Sequence, residues 1–95
     1  MQFPRDRNVT SGQSLRLFCN GTGHPRPILR WFRNDVMLEN TLILNTEIGS
    51  KSLLIIRNAS RTDAGSYYCM LQNRLAHIVS PTAKIQIFGK SSSAI

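Results

Sequence analysis

An all-β domain, sandwich or barrel, is the fold this sequence predicts, and three observations carry the prediction. Apolar and polar side chains alternate with period two, turn residues recur at intervals of roughly 8–12 residues, and no long stretch holds a clean helical period. With 95 residues there is room for one domain. A hydrophobic content of 41% marks a globular chain rather than a disordered one.

The strands follow in order. Ser14–Asn20 places Leu15, Leu17 and Cys19 on one face. After the turn-rich GTGHPRP, Leu29 and Trp31 share a face, with Arg30 and Phe32 opposite. Thr41–Asn45 reads as a short apolar strand. In Ser52–Arg57, Leu54 and Ile56 align, and Ala59 continues their side into the next turn. Tyr67, Cys69 and Leu71 form another inward set, and Ala83, Ile85 and Ile87 close the series. Turns are expected at Asn8–Gly12, Asn20–Pro27, Asn34–Asp35, Glu47–Ser50, Asn58–Gly65 and Asn73–Pro81, where Gly, Pro, Asn, Asp and Ser concentrate. No glycine or proline interrupts an inward-facing run.

Other classes recede on composition. The apolar run LLII at Leu53–Ile56 falls far short of the roughly 18–20 residues of a membrane-spanning helix, so no membrane insertion by this domain is expected. The N-terminal MQFPRDRN lacks the apolar region of a signal peptide, and Met1 is compatible with a segment of a longer chain. The division expected is one domain over residues 1–90 and a linker-like tail over 91–95, within the polar GKSSSAI. Neighbouring modules would then follow. Twelve Lys and Arg against five Asp and Glu give a net charge of +7, and arginine predominates. Arginine forks suit sulfate, phosphate and carboxylate, so an anionic partner is a candidate. Nucleic acid is not expected, because no helix is available for a major groove and no aromatic strand signature of single-strand binders is present.

Two cysteines, Cys19 and Cys69, are too few for a zinc site and too far apart for a CxxC redox pair. One disulfide is the economical reading. Closing a loop of about 50 residues would stabilise the fold by about 4 kcal/mol in the chain-entropy model. Persistence of such a bond implies an oxidising compartment.

Cys19, Trp31 twelve residues later, and Asp63-Ala64-Gly65-Ser66-Tyr67-Tyr68-Cys69 together resemble the immunoglobulin superfamily. The segment GHPRPILRW at Gly23–Trp31 is similar to the lead into strand C of its I-set, and 49 residues between the cysteines are too few for a variable domain. The resemblance covers about residues 3–88 and implies an immunoglobulin-like two-sheet sandwich with one inter-sheet disulfide. It implies that Trp31 packs on the disulfide and that Tyr67 forms a tyrosine corner. Asp63 and Gly65 would shape the turn before it, while Leu54 and Ile56 would supply strand-E core residues.

Function must be argued from the surface. Three N-x-S/T sequons begin at Asn8, Asn20 and Asn58, where chance gives about one, which suggests extracellular exposure with glycosylation. On the C, F and G strands that the resemblance implies, strict alternation would display Arg30, Phe32, Tyr68, Met70, Lys84 and Gln86 on one outer face, a composition suited to a protein interface. Arg5, Arg7, Arg16, Arg57 and Arg61 form a second candidate set, gathered on or beside the other sheet, for heparan sulfate. His24 and His77 belong to no acid–base–nucleophile set and make no metal site, so no catalysis, metal or cofactor is expected. The leading expectation is an extracellular recognition module of a receptor, adhesion molecule or secreted matrix or growth-factor protein. It would bind a protein partner, with heparan sulfate as a further candidate ligand. The alternative is an intracellular cytoskeletal I-set module with reduced cysteines.

Overall fold

A computed structural model describes residues 1–89. The chain forms nine strands among these residues: β1 Arg7–Thr10, β2 Leu15–Thr22, β3 Ile28–Arg33, β4 Val36–Met37, β5 Ile43–Asn45, β6 Gly49–Ile56, β7 Gly65–Gln72, β8 His77–Val79 and β9 Ala83–Phe88. A 3-10 turn, Arg61–Asp63, precedes β7. One sheet runs β1-β9-β7-β3-β4, with β8 also on β7; the other runs β2-β6-β5. All pairings are antiparallel except β1 with β9. The immunoglobulin-like two-sheet sandwich is therefore the architecture, and a barrel is not.

Alternation builds the core. Leu15, Leu17 and Cys19 of β2 face Leu29 and Trp31 of β3, Tyr67, Cys69 and Leu71 of β7, and Ala83 and Ile85 of β9. Leu54, Ile56 and Ile87 are half-buried and pack against this cluster from its border, so Leu54 and Ile56 edge the core instead of filling it. Cys19 and Cys69 are bonded across the sandwich, with their Cα atoms 6.5 Å apart. Cys69 lies opposite Trp31 within one sheet, and Cys19 lies opposite Ser52 within the other. Trp31 Nε1 donates to Ser52 Oγ at 2.8 Å, so a covalent bond and a hydrogen bond link the two register pairs. The Ser52 hydroxyl in turn donates to the Leu42 carbonyl.

Several expected turns are strand. Asn8–Thr10 belongs to β1, a polar edge strand with only Val9 turned inward, so its alternation carries little apolar signal. Asn20–Thr22 continues β2, and Gly49–Ser50 opens β6, where a Cβ on Gly49 would stand 2.5 Å from the Gly21 carbonyl. Here glycine answers a close approach of two strands. His77 sits on β8, whose three residues are all exposed and so lack a buried face to betray a strand. Asn34 and Asp35, both at positive φ, form the two-residue hairpin loop between β3 and β4. The domain limit at residue 90 and the tail 91–95 lie outside the described residues.

Candidate functional site

The outer face of the six-stranded sheet is built by cross-strand pairs. Arg30 lies opposite Met70, and Phe32 opposite Tyr68. Beyond them Met37 on β4 pairs with Phe32, and Val79 on β8 pairs with Met70. The Phe32 and Tyr68 rings stack with centroids 5.0 Å apart and planes 10° from parallel. Met37 and Val79 are each 49% exposed, and Phe32, Tyr68 and Met70 are half-buried. The result is a strip of aromatic, thioether and aliphatic side chains across four strands.

Polar groups fix and frame this strip. Tyr68 donates its hydroxyl to Asp35 Oδ1 at 3.0 Å, holding the ring against the β3–β4 loop. Slight burial, then the Asp35 carboxylate, hold the Tyr68 phenol above its ordinary range. Arg30 Nη1 donates to Gln72 Oε1 at 3.3 Å, which keeps the guanidinium over β7. Lys84 is exposed opposite Ser66, on the same face and diagonal to Tyr68. Its backbone N–H donates to Asp6 Oδ1 at 2.7 Å. The fold thus brings Arg30, Phe32, Tyr68, Met70 and Lys84 to one surface. Alternation could not show Met37 and Val79, because β4 and β8 are too short to carry a periodic signal.

The turn before β7 is a rigid support. Tyr67, fully buried, donates its hydroxyl to the Asp63 carbonyl at 2.5 Å. Burial raises the Tyr67 phenol above its ordinary value of 10.0, against a smaller pull from Arg33. Asp63 Oδ2 accepts the Ser60 backbone N–H at 2.9 Å, and its other oxygen lies 3.8 Å from Arg33. Gly65 has φ +152, and a Cβ there would meet Asn34 Oδ1 at 2.8 Å. That same oxygen accepts the Ser66 N–H at 2.9 Å, so Gly65 allows the β3–β4 loop to lock onto β7.

The basic set divides. Arg5, Arg7 and Arg16 line one shallow depression with Phe3, Pro4 and Phe18. Arg7 reaches it from β1, which belongs to the six-stranded sheet, so the grouping bridges the sandwich edge and does not sit on one face. Arg57 follows β6 directly, on the outer side of the three-stranded sheet with Arg16. Arg61 lies elsewhere, in the 3-10 turn beside Gly89. Asn8 is exposed on β1 opposite Gln86, Asn20 faces outward on β2, and Asn58 is an exposed turn residue with φ 51. Among the described residues no cluster of His, Cys, Asp and Glu could hold a metal, and no helix is long and apolar enough to cross a membrane.

A disulfide-stapled sandwich with a recessed tryptophan and a tyrosine-locked turn defines a class of β-domain. The profile of the immunoglobulin domain family matches residues 1–73, and the chain belongs to that family. Human (Homo sapiens) peroxidasin homolog is 30% identical over 86 residues, covering 90% of this chain and 6% of the relative. Contactin-5 of Gallus gallus is 34% identical over 89 residues, covering 90% of this chain and 8% of the relative. The chain therefore spans less than a tenth of either. The tandem Ig repeats of Dlar superpose with a TM-score of 0.77 at 22% identity, over 94% of this chain and 46% of that one, a likeness of fold. Domains of this family are typically non-catalytic.

Proposed function

We propose that this chain is a non-catalytic recognition module of a cell-surface or secreted protein, and that it binds a protein partner through the outer face of the six-stranded sheet. The observation that carries the reading is the strip of Met37, Phe32 and Tyr68 beside Arg30, Met70 and Val79. Half-exposed aromatics and methionines with an arginine among them are what interface centres are enriched in. Relatives such as the peroxidasin homolog and contactin-5 are extracellular or cell-surface proteins, and the formed disulfide fits that setting. The same two supports weigh against a cytoskeletal module with reduced cysteines. Extracellular localisation, the I-set subtype, the 1–90 boundary and neighbouring modules belong to this proposal.

The test is a tetramerised domain screened against an array of secreted and cell-surface ectodomains. Phe32→Glu and Met70→Glu should abolish any saturable interaction, and Arg57→Ser should leave it intact. Binding that survives both face variants would place recognition elsewhere. A second reading, heparan sulfate binding, is favoured by the convergence of Arg5, Arg7 and Arg16 on one depression.

A further inference from the structure

A second apolar surface lies on the opposite side of the sandwich. Phe18, Leu42, Leu44 and Leu53 line a depression on the outside of the three-stranded sheet, which Asn20 and Lys51 also line, Lys51 on the central strand between Leu44 and Asn20. Phe18 is 46% exposed, Leu44 56% and Leu42 71%. Phe18, Asn20 and Thr22 occupy successive outward positions of β2, so ring and asparagine are neighbours about 7 Å apart along the strand. Asn20-Gly21-Thr22 is a sequon, and Asn20 Nδ2 meets Gln2 Oε1 at 3.1 Å in an exposed contact. The atom that would carry a sugar therefore stands at the surface, beside the aromatic ring. Neither other sequon has this setting: Asn8 lies opposite Gln86, and Asn58 occupies an exposed turn.

We propose that Asn20 carries an N-linked glycan whose first N-acetylglucosamine packs on the Phe18 ring and covers the apolar depression. One face of that sugar presents C–H groups, which complement the negative face of an aromatic ring. The glycan then closes the three-stranded sheet to protein partners and leaves the six-stranded sheet open. The inference rests on the extracellular reading above, because sequons are used only on the secretory route.

The experiment is secretory expression of the whole chain in animal cells, with occupancy at each sequon mapped by mass spectrometry after enzymatic deglycosylation. Urea unfolding is then compared with and without the glycan, in the native sequence and in Phe18→Ala, Phe18→Leu and Phe18→Tyr. Asn20 should be occupied. Removing its glycan should lower the folding constant roughly 2- to 10-fold in the native chain and in Phe18→Tyr, the size of an aromatic contact. The loss should nearly vanish in Phe18→Ala and Phe18→Leu, and the acetyl methyl resonance should lose its ring-current shift there. An equal loss in all four backgrounds refutes the packing. A bare Asn20 beside an occupied Asn8 or Asn58, or beside an intact disulfide alone, overturns the proposal and spares the extracellular reading. No occupied sequon together with two free thiols overturns both.

Discussion

Ser52→Ala removes one oxygen atom, yet it takes away the partner of a polar group buried in the sandwich. Trp31 is 0% exposed and its Nε1–H has the Ser52 hydroxyl, itself 6% exposed, as acceptor at 2.8 Å. With alanine the indole N–H stays buried and unpaired, which costs about 1–3 kcal/mol. The Leu42 carbonyl also loses its donor, though the Leu42 side chain stands at the surface and water can replace the hydroxyl. A net loss of about 2 kcal/mol is a large part of a stability of about 5–15 kcal/mol for a small domain. At about 4–8 °C per kcal/mol it lowers Tm by roughly 8–16 °C. Urea unfolding should show a lower midpoint with an unchanged slope. In a Trp31→Phe background, which has no N–H to strand, the same serine change should cost about 1 kcal/mol less. A cost below about 0.5 kcal/mol, or the same cost in both backgrounds, would refute the reasoning.

Trp31→Ala should cost about 3–5 kcal/mol by urea unfolding, as truncation of a fully buried aromatic. Gly65→Ala forces a side chain into a positive-φ site against Asn34, and should cost about 1–3 kcal/mol by the same measurement. Because burial raises the Tyr67 phenol, the unfolded chain gives up that proton first as pH rises above about 10. The contribution is complete below the unfolded value and is lost as pH rises through the folded one. Urea midpoints should therefore fall on the alkaline side, and less steeply in Tyr67→Phe. Neutralising Arg5, Arg7 and Arg16 together should reduce salt-dependent retention on heparin more than Arg61→Ser does; equal effects would dissolve the proposed depression as an anion site.

Much of the fold could be read from residues whose burial follows period-two alternation. Leu15, Leu17, Cys19, Leu29, Trp31, Tyr67, Cys69, Leu71, Ala83 and Ile85 are all buried where that pattern puts them. The parity that turns Leu54 inward also turns Ser52 inward, but a serine carries no apolar signal, so its bond to Trp31 shows only in three dimensions. β1, β4 and β8 escaped because edge strands of two to four residues bury at most one side chain. Of the candidate interface, alternation put Arg30 with Phe32 on one side of β3 and Tyr68 with Met70 on one side of β7, since both strands are long and regular; that the two strands share a sheet followed from the immunoglobulin resemblance. The split of the arginines was not legible. It depends on the chain crossing from the Gln2–Asn20 bridge on β2 to the β1–β9 pairing, a change of sheet with no periodic trace.

The most direct measurement is methyl cross-saturation on the domain carrying labelled Met, Val and Leu methyls, in complex with an ectodomain recovered by the array. Recognition through the six-stranded sheet predicts signal loss at Met37, Met70 and Val79, with the Leu53 side of the molecule silent. Loss confined to residues around Leu42, Leu44 and Leu53, with Met70 untouched, would contradict it.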